Sequence, residues 1–119
     1  MIRIANGQGF WGDSLEAPLD QLRRGPLDYL TLDYLAEVTM SILQKQKESD
    51  AQLGYARDFP PLVARIERML RDRNVKVIAN AGGVNPIACA REVRRIAPSL
   101  KVAVVLGDDV FGRDRKSVV

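Results

Sequence analysis

The chain has 119 residues, 46% of them hydrophobic, and a net charge of +3 from 18 basic and 15 acidic side chains, which allows one buried core and no more. One cysteine and no histidine exclude an intrachain disulfide, a thiolate metal cluster, a self-contained zinc site and a Ser-His-Asp or Cys-His catalytic unit. The charges are mixed: the arginines of residues 65–73 alternate with Glu67 and Asp72, and those of 91–95 with Glu92, which is a solvated helix face and not a nucleic-acid interface.

In chain order, residues 2–5 read as a short strand entering Asn6-Gly7-Gln8-Gly9-Phe10-Trp11-Gly12-Asp13, a glycine-punctuated loop. Asp13-Ser14-Leu15-Glu16 has the form of a capping box, which predicts a helix over 15–23 with Pro18 in its first turn and Gly25-Pro26 as its stop. Residues 27–32 are rich in β-formers and predict a second strand. Asp33 then stands where a cap is expected, before a helix whose Leu35, Val38, Ile42 and Leu43 follow helical spacing, with Lys45, Lys47 and Glu48 on the wet side.

The pattern lapses over 49–58, a loop. Phe59-Pro60-Pro61 opens a helix with Leu62, Ile66, Met69 and Leu70 on one face. Residues 75–79 form a third strand, and Asn80-Ala81-Gly82-Gly83-Val84-Asn85-Pro86 is a second glycine-rich loop, with Asn85 as cap and Pro86 at the first position of a helix over 86–97. Cys89 lies in an apolar turn of that helix and reads as a small buried hydrophobe, not a nucleophile. Residues 100–106 predict a fourth strand, ending in Gly107-Asp108-Asp109. No run is long and apolar enough to span a bilayer and no targeting sequence is seen, so the expected location is the cytoplasm, without a membrane partner.

Strands alternating with amphipathic helices predict an α/β fold with a parallel sheet of about four strands, either an open sheet or part of a barrel. In both, the loops after the strands leave at one edge, where ligands bind. The residues expected there are Asn6, Gly7, Gly9, Trp11, Gly12 and Asp13 from the first loop, Asp33 from the second, and Asn80, Gly82, Gly83 and Asn85 from the third, with Asp108 and Asp109 beside them.

Gly7 to Gly12 matches G-x-G-x-x-G after a strand, with Asp28 or Asp33 about 20 residues on, the spacing of a dinucleotide fingerprint. Against a nicotinamide or flavin site, a capping signal follows Gly12 where the third glycine should lie inside the crossover helix, and Phe10 and Trp11 crowd the pyrophosphate position. The structural alternative is a tight turn in which Phe10 and Trp11 cover the core. No cofactor is fixed by the sequence.

Ile-Ala-Asn-Gly-Gln-Gly-Phe-Trp-Gly-Asp-Ser (4–14), Leu-Asp-Tyr-Leu followed by Asp-Tyr-Leu-Ala-Glu-Val-Thr-Met (27–40), Gly-Tyr-Ala-Arg-Asp-Phe (54–59) and Asn-Ala-Gly-Gly-Val-Asn-Pro (80–86) resemble, in that order, the amino-terminal domain of the acyclic terpene utilisation proteins. The resemblance covers about residues 2–109. It implies a part in bacterial breakdown of citronellol- and geraniol-type isoprenoids through acyl-CoA intermediates, and it assigns no catalytic residue. Relatives of that family are longer, so the expected division is 1–113 as the amino-terminal part of such a domain and 114–119 as a non-native tail resembling translated adapter sequence. The missing remainder, or a second copy of the chain, is then an expected partner. Without the tail, which holds two basic residues and one acidic, the net charge is +2.

If the loops converge, Asp13 and Asp33 are the candidate acid/base groups for an acyl or acyl-CoA substrate, and the amides of Gly82 and Gly83 a candidate anion site. Capping competes with catalysis for both aspartates. Asp58 brings a further carboxylate to that edge. Arg57, next to it in the longest loop, is a candidate lid or anion clamp, with a local salt bridge to Asp58 as the alternative. The pair Asp108-Asp109 could hold a divalent cation only with ligands the sequence does not supply. Three readings stand: an acid/base enzyme domain, a nicotinamide enzyme, and a non-catalytic module of an acyl-CoA-processing assembly.

Overall fold

The computed structural model describes residues 1–113, and the tail expected at 114–119 lies outside the described residues. The elements are β1 (Ile4–Gln8), α1 (Glu16–Arg24), β2 (Tyr29–Leu32), α2 (Glu37–Ser49), α3 (Phe59–Arg73), β3 (Lys76–Ala79) and α4 (Pro86–Ile96). The three strands form one sheet in the order β1-β2-β3, and both pairings are parallel, with Ile4 opposite Tyr29 and Tyr29 opposite Lys76. This is the expected α/β fold with a parallel sheet. It is one strand narrower than expected: residues 101–110 have no regular secondary structure and join no ladder, and Val105 and Leu106 are exposed.

Alternation along β2 sets the two faces. Leu30 and Leu32 are buried, and with Leu19 and Leu22 of α1 and Leu62, Ile66 and Leu70 of α3 they form the main core. Each such leucine contributes on the order of 1.5–3 kcal/mol by leaving water. Helices α3 and α4 make a second, smaller cluster around Val63, Val93 and Ala97. The other face of the sheet carries Ile4, Asn6, Tyr29, Thr31, Lys76 and Ile78; Ile4 and Ile78 are exposed, and the Lys76 ammonium stands 5.7 Å from the Tyr29 ring centre. Arg65 of α3 pairs with Glu16 of α1 at 2.8 Å, and an Arg73 guanidinium N–H donates to the Leu22 carbonyl.

β1 runs on into the stretch expected to be loop. Its register slips between Asn6 and Gln8, where Gly7 is the additional residue of a bulge. The bulge re-aims the strand: Asn6 stays on the open face, and Gln8, two residues on, turns to the buried one and is 2% exposed. Gly7 fits because it has no side chain. A Cβ there would lie 3.0 Å from the Pro18 Cα and 3.1 Å from methyls of Leu30 and Leu32.

The clearest helical pattern in the sequence begins later than expected. Asp33 is not its cap: α2 starts at Glu37, with Ala36 extended at φ −143° and ψ 172° before it. The cause is tertiary. The Tyr34 amide donates to Asn80 Oδ1 at 2.7 Å and the Tyr34 ring is buried against Phe59, edge to face at 5.7 Å, so the chain is held out of a helix through residue 36. Of its apolar residues only Leu43 is buried; Val38 and Ile42 are exposed. No helix among the described residues is long and apolar enough to cross a membrane.

Gly7→Val is expected to lower unfolding stability by about 1–3 kcal/mol, because the new methyls must displace Pro18 or the β2 leucines. Gly25→Ala, where a Cβ meets nothing within 4 Å, is the matched control and should shift the urea midpoint little.

Candidate functional site

At the carboxyl end of the sheet the three strands deliver Asn6, Asp33 and Asn80 to one place. They line an open groove of about 460 Å³ together with Thr31, Leu32, Ile78 and Ala79. Asn80 organises it. Its Oδ1 accepts from the Tyr34 amide, and its Nδ2 donates to Asp33 Oδ1 at 2.7 Å, so one side chain ties the end of β3 to the end of β2. The Leu35 amide reaches the same Asp33 oxygen at 3.4 Å, and the Asp33 amide donates to the Gln8 carbonyl at 3.0 Å. Asp33 Oδ2 has no hydrogen-bond partner among the described residues. On the β1 side, Asn6 Oδ1 lies within 3.5 Å of both Thr31 Oγ1 and the Gln8 amide.

Asp13 is occupied differently. Its Oδ2 accepts from the Gly9 amide at 3.1 Å and its Oδ1 from the Ser14 amide at 2.8 Å, which closes residues 9–14 into a tight loop. The capping box is only half realised: Ser14 Oγ, not Asp13, takes the Glu16 amide, at 3.3 Å. In the loop, Trp11 is half-buried against the core and Phe10 is exposed, the reverse of the packing that would make Phe10 the core cover. Gly9 and Gly12 are exposed, Gly12 with φ +102°.

The loop also departs from a dinucleotide fingerprint. Its first glycine is covered by Pro18, and its third precedes α1 instead of packing within it.

The second glycine-rich loop is a packing device. A Cβ on Gly82 would meet Pro86 Cβ at 2.7 Å, and one on Gly83, whose φ is +55°, would meet Leu43 Cδ1 at 2.5 Å and the Gly54 carbonyl at 2.7 Å. The Gly83 amide expected to hold an anion donates to the Asn80 carbonyl at 3.3 Å. Asn85 makes no side-chain cap to α4; its Nδ2 reaches back to the carbonyls of Ala51 and Leu53 at 2.9 and 2.8 Å.

The Ala56 amide donates to the Ala81 carbonyl at 2.8 Å, so the loop at 50–58 is stitched to the same place. Arg57 on it is exposed and forms no ion pair with Asp58. Asp108 and Asp109 follow the segment that joins no ladder and do not reach the groove. Among the described residues no group of three or more His, Cys, Asp or Glu converges as metal ligands.

Among the described residues four buried side chains carry a polar atom without a partner: Gln8, Tyr34, Gln46 and Asp58. Gln8 Nε2 donates to the Phe10 carbonyl at 3.0 Å, but its Oε1 has no partner; neither does the Tyr34 hydroxyl, nor Asp58 Oδ1. Burial, with Asp58 and then Cys89 nearby, pushes the Tyr34 hydroxyl well above its ordinary range. Burial alone pushes the Cys89 thiol up to about 12. Thr31, Gln8 and Tyr34 were not singled out by sequence. Thr31 was accessible through alternation, since Tyr29, Thr31 and Asp33 are spaced by two, whereas Gln8 depends on a bulge with no local signal.

The sequence model of the acyclic terpene utilisation family, described as acyclic terpene utilisation family protein AtuA, matches residues 2–118. The chain belongs to this family. No curated protein and no solved structure matches it.

Asn80→Ala is expected to lower unfolding stability by about 1–3 kcal/mol, since it leaves the Tyr34 amide without its acceptor; urea denaturation with unchanged slope is the check. Cys89 should resist a thiol-directed disulfide reagent at pH 8 in the folded protein and react at an ordinary rate in denaturant, because a thiol raised to about 12 stays protonated there.

Proposed function

We propose that this member of the acyclic terpene utilisation family performs acid/base chemistry on an acyl or acyl-CoA form of an acyclic isoprenoid, with Asp33 as the proton-transfer group. The observation that carries the reading is the state of its carboxylate: one oxygen is fixed by Asn80, the other stands free, and the group is not spent on capping α2. A fixed carboxylate with one free oxygen suits abstraction of an acidic C–H proton or delivery of a proton to a double bond, steps for which a positioned general base contributes about 10²–10⁴-fold.

In this reading Asn80 is a positioning residue. Asn6 and Thr31 are the polar contacts for substrate, and Ile78, Leu32 and Ala79 are an apolar floor for a hydrocarbon chain. Asp13 has both oxygens committed to backbone amides, which favours a loop-closing role and leaves proton transfer to Asp33. The buried Gly7 gives the nicotinamide alternative no support.

A second reading has its own observation. The open sheet face with Ile4 and Ile78, and Val38 and Ile42 on α2, are exposed apolar positions that suit a module of a larger acyl-CoA-processing assembly.

Asp33→Asn separates the two. On the acid/base reading it keeps the Asn80 contact and thermal stability but slows incorporation of solvent deuterium into a citronellyl- or geranyl-type acyl-CoA at least a hundredfold. Exchange at the wild-type rate in this variant would remove Asp33 from the chemistry and favour the module.

A further inference from the structure

β3 is an edge strand, and the residues best suited to cover its outer side follow it in the chain, one helix on. Leu100-Lys101-Val102-Ala103-Val104-Val105-Leu106 has the composition of a strand and follows α4, the helix that leaves β3. Its start is fixed. The Ser99 amide and hydroxyl both donate to Glu67 Oε2, at 3.0 and 2.5 Å, and the Leu100 amide donates to the Ala97 carbonyl at 3.2 Å. Leu100 and Val102 pack on the Val63–Val93–Ala97 cluster.

From there the chain forms neither helix nor ladder, with Val104 38%, Leu106 58% and Val105 93% exposed. The segment is thus anchored on the α3–α4 layer at its start and uncommitted to any helix or ladder beyond it. Alternation puts Val104 and Leu106 on the side of Val102, which faces the helices.

We propose that residues 100–106 add to the outer edge of β3 as a fourth parallel strand, and that this closure brings Asp108 and Asp109 to the groove at Asn80 and Asp33. The proposal rests on reading that groove as the site, to which it adds a second source of carboxylate. A strand, a helix and a returning strand pack in this way as a right-handed crossover. The lengths agree: the 11 residues of α4 carry the chain roughly 16 Å back along the sheet at about 1.5 Å each. Six strand steps of about 3.3 Å return it roughly 20 Å, to the level of residues 80–85. Gly107, with φ +120°, then turns the chain where an L side chain would be strained.

Closure buries Val104 and Leu106 in line with Val102 and gives the β3 backbone partners on its second side, against the cost of ordering a few residues.

Amide hydrogen exchange on the full chain tests this without reference to activity, so its failure and that of the Asp33 assignment are distinguishable. The expected result is exchange in residues 102–106 at least a hundredfold slower than in an unstructured peptide. Val104→Pro should abolish it while β1 and β2 stay protected. A nitroxide on Asp109→Cys, with Cys89→Ala, should broaden the amide resonances of residues 80–82.

Exchange at peptide rates in the unaltered chain overturns the proposal. So does protection lost on dilution, which would mean pairing between copies, and so does protection without broadening at 80–82, which would mean a strand that delivers nothing to the groove.

Discussion

All three strands run the same way, and most of what the molecule can do depends on that constraint. Parallel neighbours cannot be joined by a hairpin, so each strand must be followed by a crossover that returns the chain to the opposite edge. The loops leaving β1, β2 and β3 therefore emerge together, and three residues distant in sequence, Asn6, Asp33 and Asn80, line one groove. The Asn80 amide converts this proximity into a fixed geometry. A single planar group satisfies a backbone donor on one side and a carboxylate on the other, which sets the direction of Asp33 without neutralising its charge.

The helices divide their labour unevenly. α1 and α3 cover one face and supply nearly all the core partners of β2, while α4 extends that layer through α3. α2 contributes Leu43 to the interior and Lys47, whose Nζ donates to the Val84 carbonyl at 2.9 Å. Gly54 and Gly83 let the intervening loops pass close to it. Parallel sheets are characteristically covered on both faces, so the polar and aliphatic side chains of the open face are the part of the fold with least to hold them.

The element order from β1 to α4 and the parallel sheet were legible in the sequence, because periodicity and Gly-Pro punctuation are local signals. Local reasoning went astray where a distant group decided. Asp33 precedes an amphipathic pattern and looks like a cap, but Asn80, 47 residues on, holds the chain extended past it. Gly7, Gly82 and Gly83 look like ligand-facing glycines, yet Pro18, Pro86 and Leu43 are what a side chain there would strike. Gln8 becomes an interior residue through a bulge visible only once β1 and β2 are in register. Residues 100–106 have the composition of a strand, but composition does not supply a ladder.

Trp11 is the one tryptophan in the chain. It sits half in the core and half out, in a loop that Asp13 pins at both ends and that begins where β1 delivers Asn6 to the groove. Indole emission depends on how wet the ring is, so the molecule carries a native optical reporter a few residues from its candidate site, with no second indole to obscure the signal.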